Sequence, residues 1–275
     1  MFEEILANVA AKTPLIHCIT NYVTVNDVAN MLLACGGSPI MADDDREAEE
    51  ITSVCDGLAL NLGTLNSRTV RSMLLAGRRA NALGRPVVLD PVGAGASALR
   101  TETARELLRE VRFAVLRGNG SEMKVLAGLA PAGSRGVDVA AGDAVTEATL
   151  DRAADAAREL AARTGAIVAV TGAIDVVADE RRAYLIRNGC PEMGRITGTG
   201  CMLTGVIAAW CAANPQAPLD ATAAAVCAMG LCGELARARA RESGGGTATM
   251  RVALIDAMST LDAKTLNGGM RLEVR

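Results

Sequence analysis

The chain has 275 residues, half of them hydrophobic, 21% charged and only 2% aromatic, with a formal net charge of −3. That length buries a sizeable core, while the balance supplies neither the basic surface nor the stacking side chains that nucleic-acid binding needs. The eight cysteines never stand in a C-x-x-C spacing and mostly lie in apolar runs, the N-terminus MFEEILANVAAK is acidic and amphipathic, and no apolar run approaches the ~20 residues of a membrane span, so reduced thiols in the cytoplasm are expected.

Residues 3–11 predict a short amphipathic helix that stops before Pro14, and LIHCIT then reads as an extended segment ending at Asn21. A helix over 24–35 is closed by Gly36-Gly37. From there an apolar strand, a polar or glycine-containing turn and a helix repeat. Strands are expected at 38–42, 57–62, 86–89, 113–117 and 166–170, and helices near 46–54, 66–83, 97–110, 121–129 and 149–163. The acidic run Asp43-Asp44-Asp45 with Glu47 is expected to solvate a helix start, and 129–143 to form a surface loop. Residues 175–189 read as a hairpin turning at Asp179-Glu180, and the C-terminal third reads as nearly all helical. Alternating βα units imply a mainly parallel sheet covered on both faces, and no boundary divides the chain, so 1–275 is expected to be a single α/β domain.

Ligands of open parallel sheets bind at the carboxyl ends of the strands, so the residues that follow each strand carry the chemistry. Asp90-Pro91-Val92-Gly93-Ala94-Gly95 supplies a carboxylate and a glycine turn. Arg117-Gly118-Asn119-Gly120-Ser121-Glu122 supplies a cation and a second carboxylate, although Asn119 and Glu122 also have the spacing of a capping box. Thr171-Gly172 offers a hydroxyl and exposed backbone suited to a phosphate. The lone His17, beside an apolar segment, reads as a core or turn residue with no second histidine for a metal site.

Thr197-Gly198-Thr199-Gly200-Cys201 runs straight into the apolar segment MLTGVIAAWCAA. Glycines flanking Thr199 permit a tight turn at a helix N-terminus, where free N–H groups and the helix dipole would stabilise a phosphate or a charge developing on it. A thiol there is expected to have a lowered pKa, which makes Cys201 a candidate base or nucleophile; the alternative is a small buried hydrophobe. There is no Walker sequence G-x-x-x-x-G-K-[ST], and the turn lacks the Rossmann spacing. A carboxylate pair, an arginine, a threonine and an anion hole on one sheet edge suit phosphoryl transfer, in which positioning and charge neutralisation do most of the work.

In order along the chain, HCITNYVTVNDVAN (17–30), GGSPIMA (36–42), GLALNLGTL (57–65), VVLDPVGAGAS (87–97), RGNGSE (117–122), VTGAIDVV (170–177) and TGTGCMLTGVIAAW (197–210) resemble the hydroxyethylthiazole kinase family of the ribokinase-like superfamily. The resemblance implies a three-layer α/β/α sandwich with a mostly parallel central sheet. It also implies ATP- and Mg²⁺-dependent phosphorylation of the primary alcohol of 4-methyl-5-(2-hydroxyethyl)thiazole in thiamine biosynthesis, by a homotrimer with active sites between subunits. Carried over residue by residue, Met41, Gly198 and Asn21 would contact the thiazole, and Arg117, Thr171 and Asn119 would bind ATP. Asp90 and Glu122 would organise the metal, and Gly198, Thr199, Gly200 and Cys201 would form the catalytic turn, with Cys201 where related enzymes have an aspartate base. The sequence departs from the family's usual pattern at Cys18, at Asp43-Asp44 and at Gly244-Gly245-Gly246-Thr247-Ala248. Three other readings are open: a kinase of another hydroxyalkyl heterocycle such as hydroxymethylpyrimidine, a Cys201-dependent hydrolase or transferase, and a binding protein without turnover.

Overall fold

The computed structural model describes residues 2–128 and 145–275, so the loop expected over 129–143 lies outside the described residues. After α1 (Glu3–Lys12), strand and helix alternate: β1 (Leu15–Ile19), α2 (Val25–Ala34), β2 (Ser38–Ile40), α3 (Ala48–Val54), β3 (Gly57–Asn61), α4 (Ser67–Ala82), β4 (Val87–Asp90), α5 (Ala98–Glu110), β5 (Val115–Asn119) and α6 (Gly120–Leu126). Then α7 (Leu150–Thr164) leads to β6 (Ile167–Thr171), and the predicted hairpin forms as β7 (Asp175–Ala178) and β8 (Ala183–Ile186). A short 3-10 turn, Pro191–Arg195, joins it to α8 (Thr199–Ala213), α9 (Pro218–Glu242), α10 (Thr247–Ser259), α11 (Ala263–Gly269) and β9 (Leu272–Val274).

Among the described residues the sheet has nine strands in the order β2-β1-β3-β4-β5-β6-β7-β8-β9. β2 through β6 run parallel and β7, β8 and β9 antiparallel. Side chains along a strand alternate in direction, and here both directions are apolar. Ala59, Val88, Val115 and Ala169 join one core with α1, α2, α8, α9 and α10. Leu58, Leu60, Leu89, Leu116 and Val168 join the other, with α4, α5 and α7. The result is the three-layer arrangement that the sequence implied.

The structure departs from the expected elements in five places. β5 begins and ends two residues later than expected, because Gly118 and Asn119 pair with Val170 and Thr171 of β6, so Arg117 is a strand residue. Asp90 likewise closes β4 opposite Asn61 of β3. Asp43 and Asp45 do not merely solvate a helix start: they pair with Arg68 (3.0 Å) and Arg71 (2.9 Å) of α4. The C-terminal third is not all helical, since three residues of β9, too few to show a period, extend the sheet edge. Finally, α9 is long and apolar enough by composition to cross a bilayer, contrary to the expected absence of such a run, but most of that stretch is buried in the core.

Candidate active site

The carboxyl ends of β3, β4, β5 and β6 meet the N-terminus of α8, and the site grows from that meeting. Gly198 adopts φ +85° and leaves the first turn of α8 without a side-chain cap. Met202 N–H reaches the Gly198 carbonyl at 2.8 Å, so the N–H groups of Thr199, Gly200 and Cys201 precede the helical ladder, the geometry in which a helix N-terminus can meet an anion. Both glycines are needed for close approach. A Cβ on Gly198 would lie 2.5 Å from Thr24 Cγ2, and one on Gly200 would lie 2.4 Å from an Arg117 guanidinium nitrogen.

Arg117 is held from two sides, donating to Thr171 Oγ1 at 2.7 Å and reaching Asp90 Oδ1 at 3.4 Å. Its Nε is buried and has no partner among the described residues, which leaves a cation with spare donor capacity beside the turn. Asp90 is fully buried. Its Oδ2 accepts from Asn61 Nδ2 at 2.7 Å and Thr204 Oγ1 at 3.0 Å, whereas among the described residues Oδ1 has only the long contact to Arg117. Burial pushes its pKa up, and Arg117, Thr204 and Asn61 oppose that rise.

The network continues away from Arg117. Asn61 Nδ2 also donates to Cys201 Sγ (3.3 Å), and Asn21 Nδ2 donates to Asn61 Oδ1 (3.0 Å) and Cys201 Sγ (3.3 Å). Thr24 donates to Asn21 Oδ1 through both N–H and Oγ1. The expectation of a lowered thiol pKa at Cys201 is corrected: burial and the charge of Asp90 raise it, outweighing the stabilisation by Thr24, Arg117 and Asn21. A protonated thiol flanked by amides, with no basic partner, does not make a nucleophile. His17 is no such partner. It is buried, its Nδ1 lies 2.9 Å from Thr52 Oγ1 and its Nε2 2.8 Å from the Ala42 carbonyl, and burial lowers its pKa.

Two cavities flank this network. One, of about 450 Å³, is lined by Arg117, Thr171, Asp175, Thr199 and Gly200 and by the apolar Leu203, Val226, Met229 and Met193, among others. The other, of about 330 Å³, is lined by Met41, Cys18, Thr20, Tyr22, Arg68 and Met73, among others. Asn21, between the lining residues Thr20 and Tyr22, points its amide at Cys201 and so joins the two. Of the residues singled out in the sequence, Met41 thus lies in the second cavity, while Arg117, Thr171, Thr199 and Gly200 lie in the first. Asp90, Asn21, Cys201 and Gly198 lie between them. Asn119 sits beside Thr171 at the strand ends, but its Oδ1 is engaged in capping α6.

Glu122 completes the capping box, as its spacing implied, and does more. Its Oε2 accepts from Asn119 N–H (2.8 Å) and its Oε1 from Gly93 N–H (2.9 Å), which ties the turn after β4 to the start of α6. Burial, then the charge of Asp90, push its pKa up to about 7. Each of its oxygens keeps a lone pair, and a cation beside Asp90 and Glu122 would relieve their repulsion, so the pair fits a metal that takes few protein ligands. Among the described residues no cluster of three or more His, Cys, Asp or Glu side chains could hold an ion without further ligands.

Glu122→Gln tests this assignment through pH. A folded-state pKa raised from 4.5 to about 7 means that the fold keeps the proton after the unfolded chain has lost it, so the wild type loses stability as pH rises through that window. Glutamine has no such dependence. Denaturant melts should show the stability difference moving in favour of Glu122→Gln between pH 4.5 and 7, by up to ~3 kcal/mol, and staying flat above. A difference independent of pH would mean that Glu122 is ionised throughout.

Asn61, Thr204 and Thr24 were not singled out from the sequence. Asn61 alone had a signal, as the polar end of an apolar strand; the contacts of Thr204 and Thr24 arise only from the packing of α8 and α2 against the sheet.

The profile of the hydroxyethylthiazole kinase family matches residues 6–264. The hydroxyethylthiazole kinase of Clostridium acetobutylicum is 55% identical over 273 residues, covering 99% of each chain, and that of Desulfovibrio desulfuricans is 52% identical over 100% of this chain and 98% of its own. Among solved structures, that of the hydroxyethylthiazole kinase protein from Pyrococcus horikoshii superposes with a TM-score of 0.87 at 35% identity, over 100% of this chain and 98% of the other. A ribokinase-like superfamily protein from Enterococcus faecalis, 13% identical with a TM-score of 0.62 over 92% of this chain and 88% of the other, shares the fold alone.

Proposed function

The chain belongs to the hydroxyethylthiazole kinase family, and from that premise we propose how its residues divide the phosphorylation of hydroxyethylthiazole in thiamine biosynthesis between the two cavities. ATP enters the larger one, its base against Leu203, Val226, Met229 and Met193 and its phosphates toward Arg117, Thr171 and the turn at 198–201. The thiazole enters the smaller one against Met41, and its hydroxyethyl arm points past Asn21 toward Cys201. The observation that carries this reading is the unbroken line of contacts Asn21–Asn61–Asp90–Arg117–Thr171 with a cavity on either side.

In the transfer step the alcohol oxygen forms a bond to the γ-phosphorus as the bond to the β–γ bridging oxygen breaks, the hydroxyl proton passes to a phosphoryl oxygen or, where Cys201 is ionised, to its thiolate, and ADP leaves. Arg117 and the N–H groups of the turn take up the charge on the equatorial oxygens from positions that the fold has already set. Asp90 fixes Arg117, and Asn21 and Asn61 fix Cys201. A thiol held above its ordinary pKa is ionised in few molecules, and a loose transition state needs little base assistance, so Cys201 orients the alcohol and contributes modestly as a base. Bound Mg²⁺, held by Asp90 and Glu122, would supply charge neutralisation to the phosphates; weakened Mg²⁺ dependence in Glu122→Gln is the corresponding check.

We assign the active form to a homotrimer whose acceptor cavity is completed by a neighbouring subunit, each chain acting as one domain. Tyr22 is 78% exposed and Val23 59%, beside that cavity, and burying both against another copy supports the assignment. Eight free thiols fit a reducing cytoplasm.

A coupled ADP-release assay across hydroxyethylthiazole and hydroxymethylpyrimidine tests the acceptor, and Met41→Ala tests its placement. Removing the thioether should raise the thiazole KM by roughly tenfold or more and leave the ATP KM alone, since one methylene in such a pocket is worth about 1–3 kcal/mol. Activity should also fall steeply on dilution below the trimer's dissociation range. Preference for the pyrimidine, a rise in the ATP KM instead, or a fully active monomer would overturn the corresponding part.

A further inference from the structure

The strap from Arg187 to Gly198 runs along the nucleotide cavity and ends at the anion-binding turn, and its first residues are held from outside the sheet. Asn188 is buried: its Nδ2 donates to the Gly269 carbonyl (2.9 Å) and its Oδ1 accepts from Arg271 N–H (2.7 Å). Glu234 of α9 accepts from Gly189 N–H (2.7 Å) and from the Arg271 guanidinium (2.6 Å) through the same Oε1. The Arg271 guanidinium also donates to the Arg187 carbonyl (3.2 Å from Nε). Contact is backbone-close, since a Cβ on Gly230 of α9 would lie 2.7 Å from the Asn188 carbonyl carbon. Asn188, Gly189 and Gly230 all line the cavity, whereas Glu234 and Arg271 do not.

We propose that Glu234 and Arg271 are positioning residues for the nucleotide: the chain's last segment, α11 into β9, fixes the cavity wall and thereby sets ATP affinity. This rests on the assignment of that cavity to ATP. Three features support it. The clamp joins residues from three distant parts of the chain, so it forms only in the complete fold. It engages backbone groups of the strap directly, the Gly189 N–H and the Arg187 carbonyl. It also engages both side-chain polar atoms of Asn188, so that the apolar Val226, Met229 and Met193 of the same lining, and not a free amide, are offered to a base. A wall that must be ordered at the moment of binding weakens binding by the cost of ordering it, whereas a wall held beforehand does not. The acceptor cavity, on the far side of the Asn21–Asp90 line, is untouched by the clamp.

Steady-state kinetics of Arg271→Ala and Glu234→Gln test the proposal. Arg271→Ala removes the ion pair between the two residues, and Glu234→Gln removes its negative charge while keeping an acceptor for Gly189 N–H. The ATP KM should rise about tenfold, with kcat at saturating ATP and the thiazole KM within about twofold of wild type, and Arg271→Lys should recover part of the loss. An unmoved ATP KM, or a joint fall of kcat and both affinities together with the melting temperature, overturns it. If Arg271→Ala does not fold, Glu234→Gln decides alone. Arg117→Ala separates the two levels. If it raises the ATP KM while the clamp variants do not, the clamp proposal fails and the cavity assignment stands; if it too leaves the ATP KM unmoved, both fail.

Discussion

Arg117→Ala should lower kcat/KM for ATP by about 10³-fold or more, the range expected when an arginine that neutralises the transferring phosphoryl group is lost. Its guanidinium packs on Gly200 of the turn and is fixed by Asp90 and Thr171. Its removal takes away transition-state charge stabilisation and the brace on the nucleotide cavity together. Lysine should recover little, because a point charge on a flexible stem cannot reach Asp90, Thr171 and a phosphate at once. The fold should survive. Asp90 would lose its counter-charge, but its pKa is already pushed up by burial, so it can take a proton instead of remaining an unpaired buried anion. A loss below tenfold, or an effect on the thiazole KM with none on ATP, would place the phosphates elsewhere.

Gly200→Ala and Gly198→Val should both abolish most activity, yet differ in stability. The sequence by itself suggests that a β-branched residue at either glycine closes the anion hole and spares the fold. At Gly200 the structure agrees, since the backbone is ordinary and the atoms nearest the added Cβ are the guanidinium end of Arg117, whose displacement breaks its bonds to Asp90 and Thr171 and leaves the core packing alone. Turnover should fall about 10²–10³-fold, as for the loss of an oxyanion-hole donor, at a nearly wild-type melting temperature. At Gly198 the structure disagrees. A β-branched residue there faces both φ +85° and a Cβ contact of 2.5 Å with Thr24 on α2, so Gly198→Val should melt well below wild type as well as lose activity. Thermal melts beside kinetics on the two variants decide this. Full activity in either would remove the turn from the mechanism, and a Gly200→Ala protein as unstable as Gly198→Val would show that its helix end is packed, not open.

The fold was legible because its signals are local. Apolar strands that each end in polar or glycine-containing residues, Asp-Pro-Val-Gly, Arg-Gly-Asn-Gly and Thr-Gly, and mostly lead into helices leave few choices besides a parallel sheet covered on both faces, and the hairpin turned at the expected Asp179. β9 and the true ends of β4 and β5 were not legible, because pairing with a neighbouring strand decides where a strand stops: Asp90 and Asn119 are drawn into the ladder by Asn61 and Thr171. The site was legible as an inventory. Asp90, Arg117, Thr171 and the turn at 198–201 were each visible as polar residues at strand or helix ends, and the capping spacing of Asn119 and Glu122 was visible too.

What the sequence by itself determined, then, is the set of groups delivered to one edge of the sheet, since strand period and turn chemistry fix which residues end each strand. Only the tertiary structure decided their protonation and their partners. Whether the thiol of Cys201 is activated depends on the balance between a helix dipole, which sequence position fixes, and burial beside Asp90, which depends on segments as distant as Asn21 and Asn61 packing over it. Burial won because desolvation acts on the whole side chain, whereas the dipole acts through a few N–H groups. For the same reason the clamp of Arg271 on Asn188 and Glu234 has no trace in the sequence: its members stand as many as 83 residues apart, and only the closed sheet brings them together.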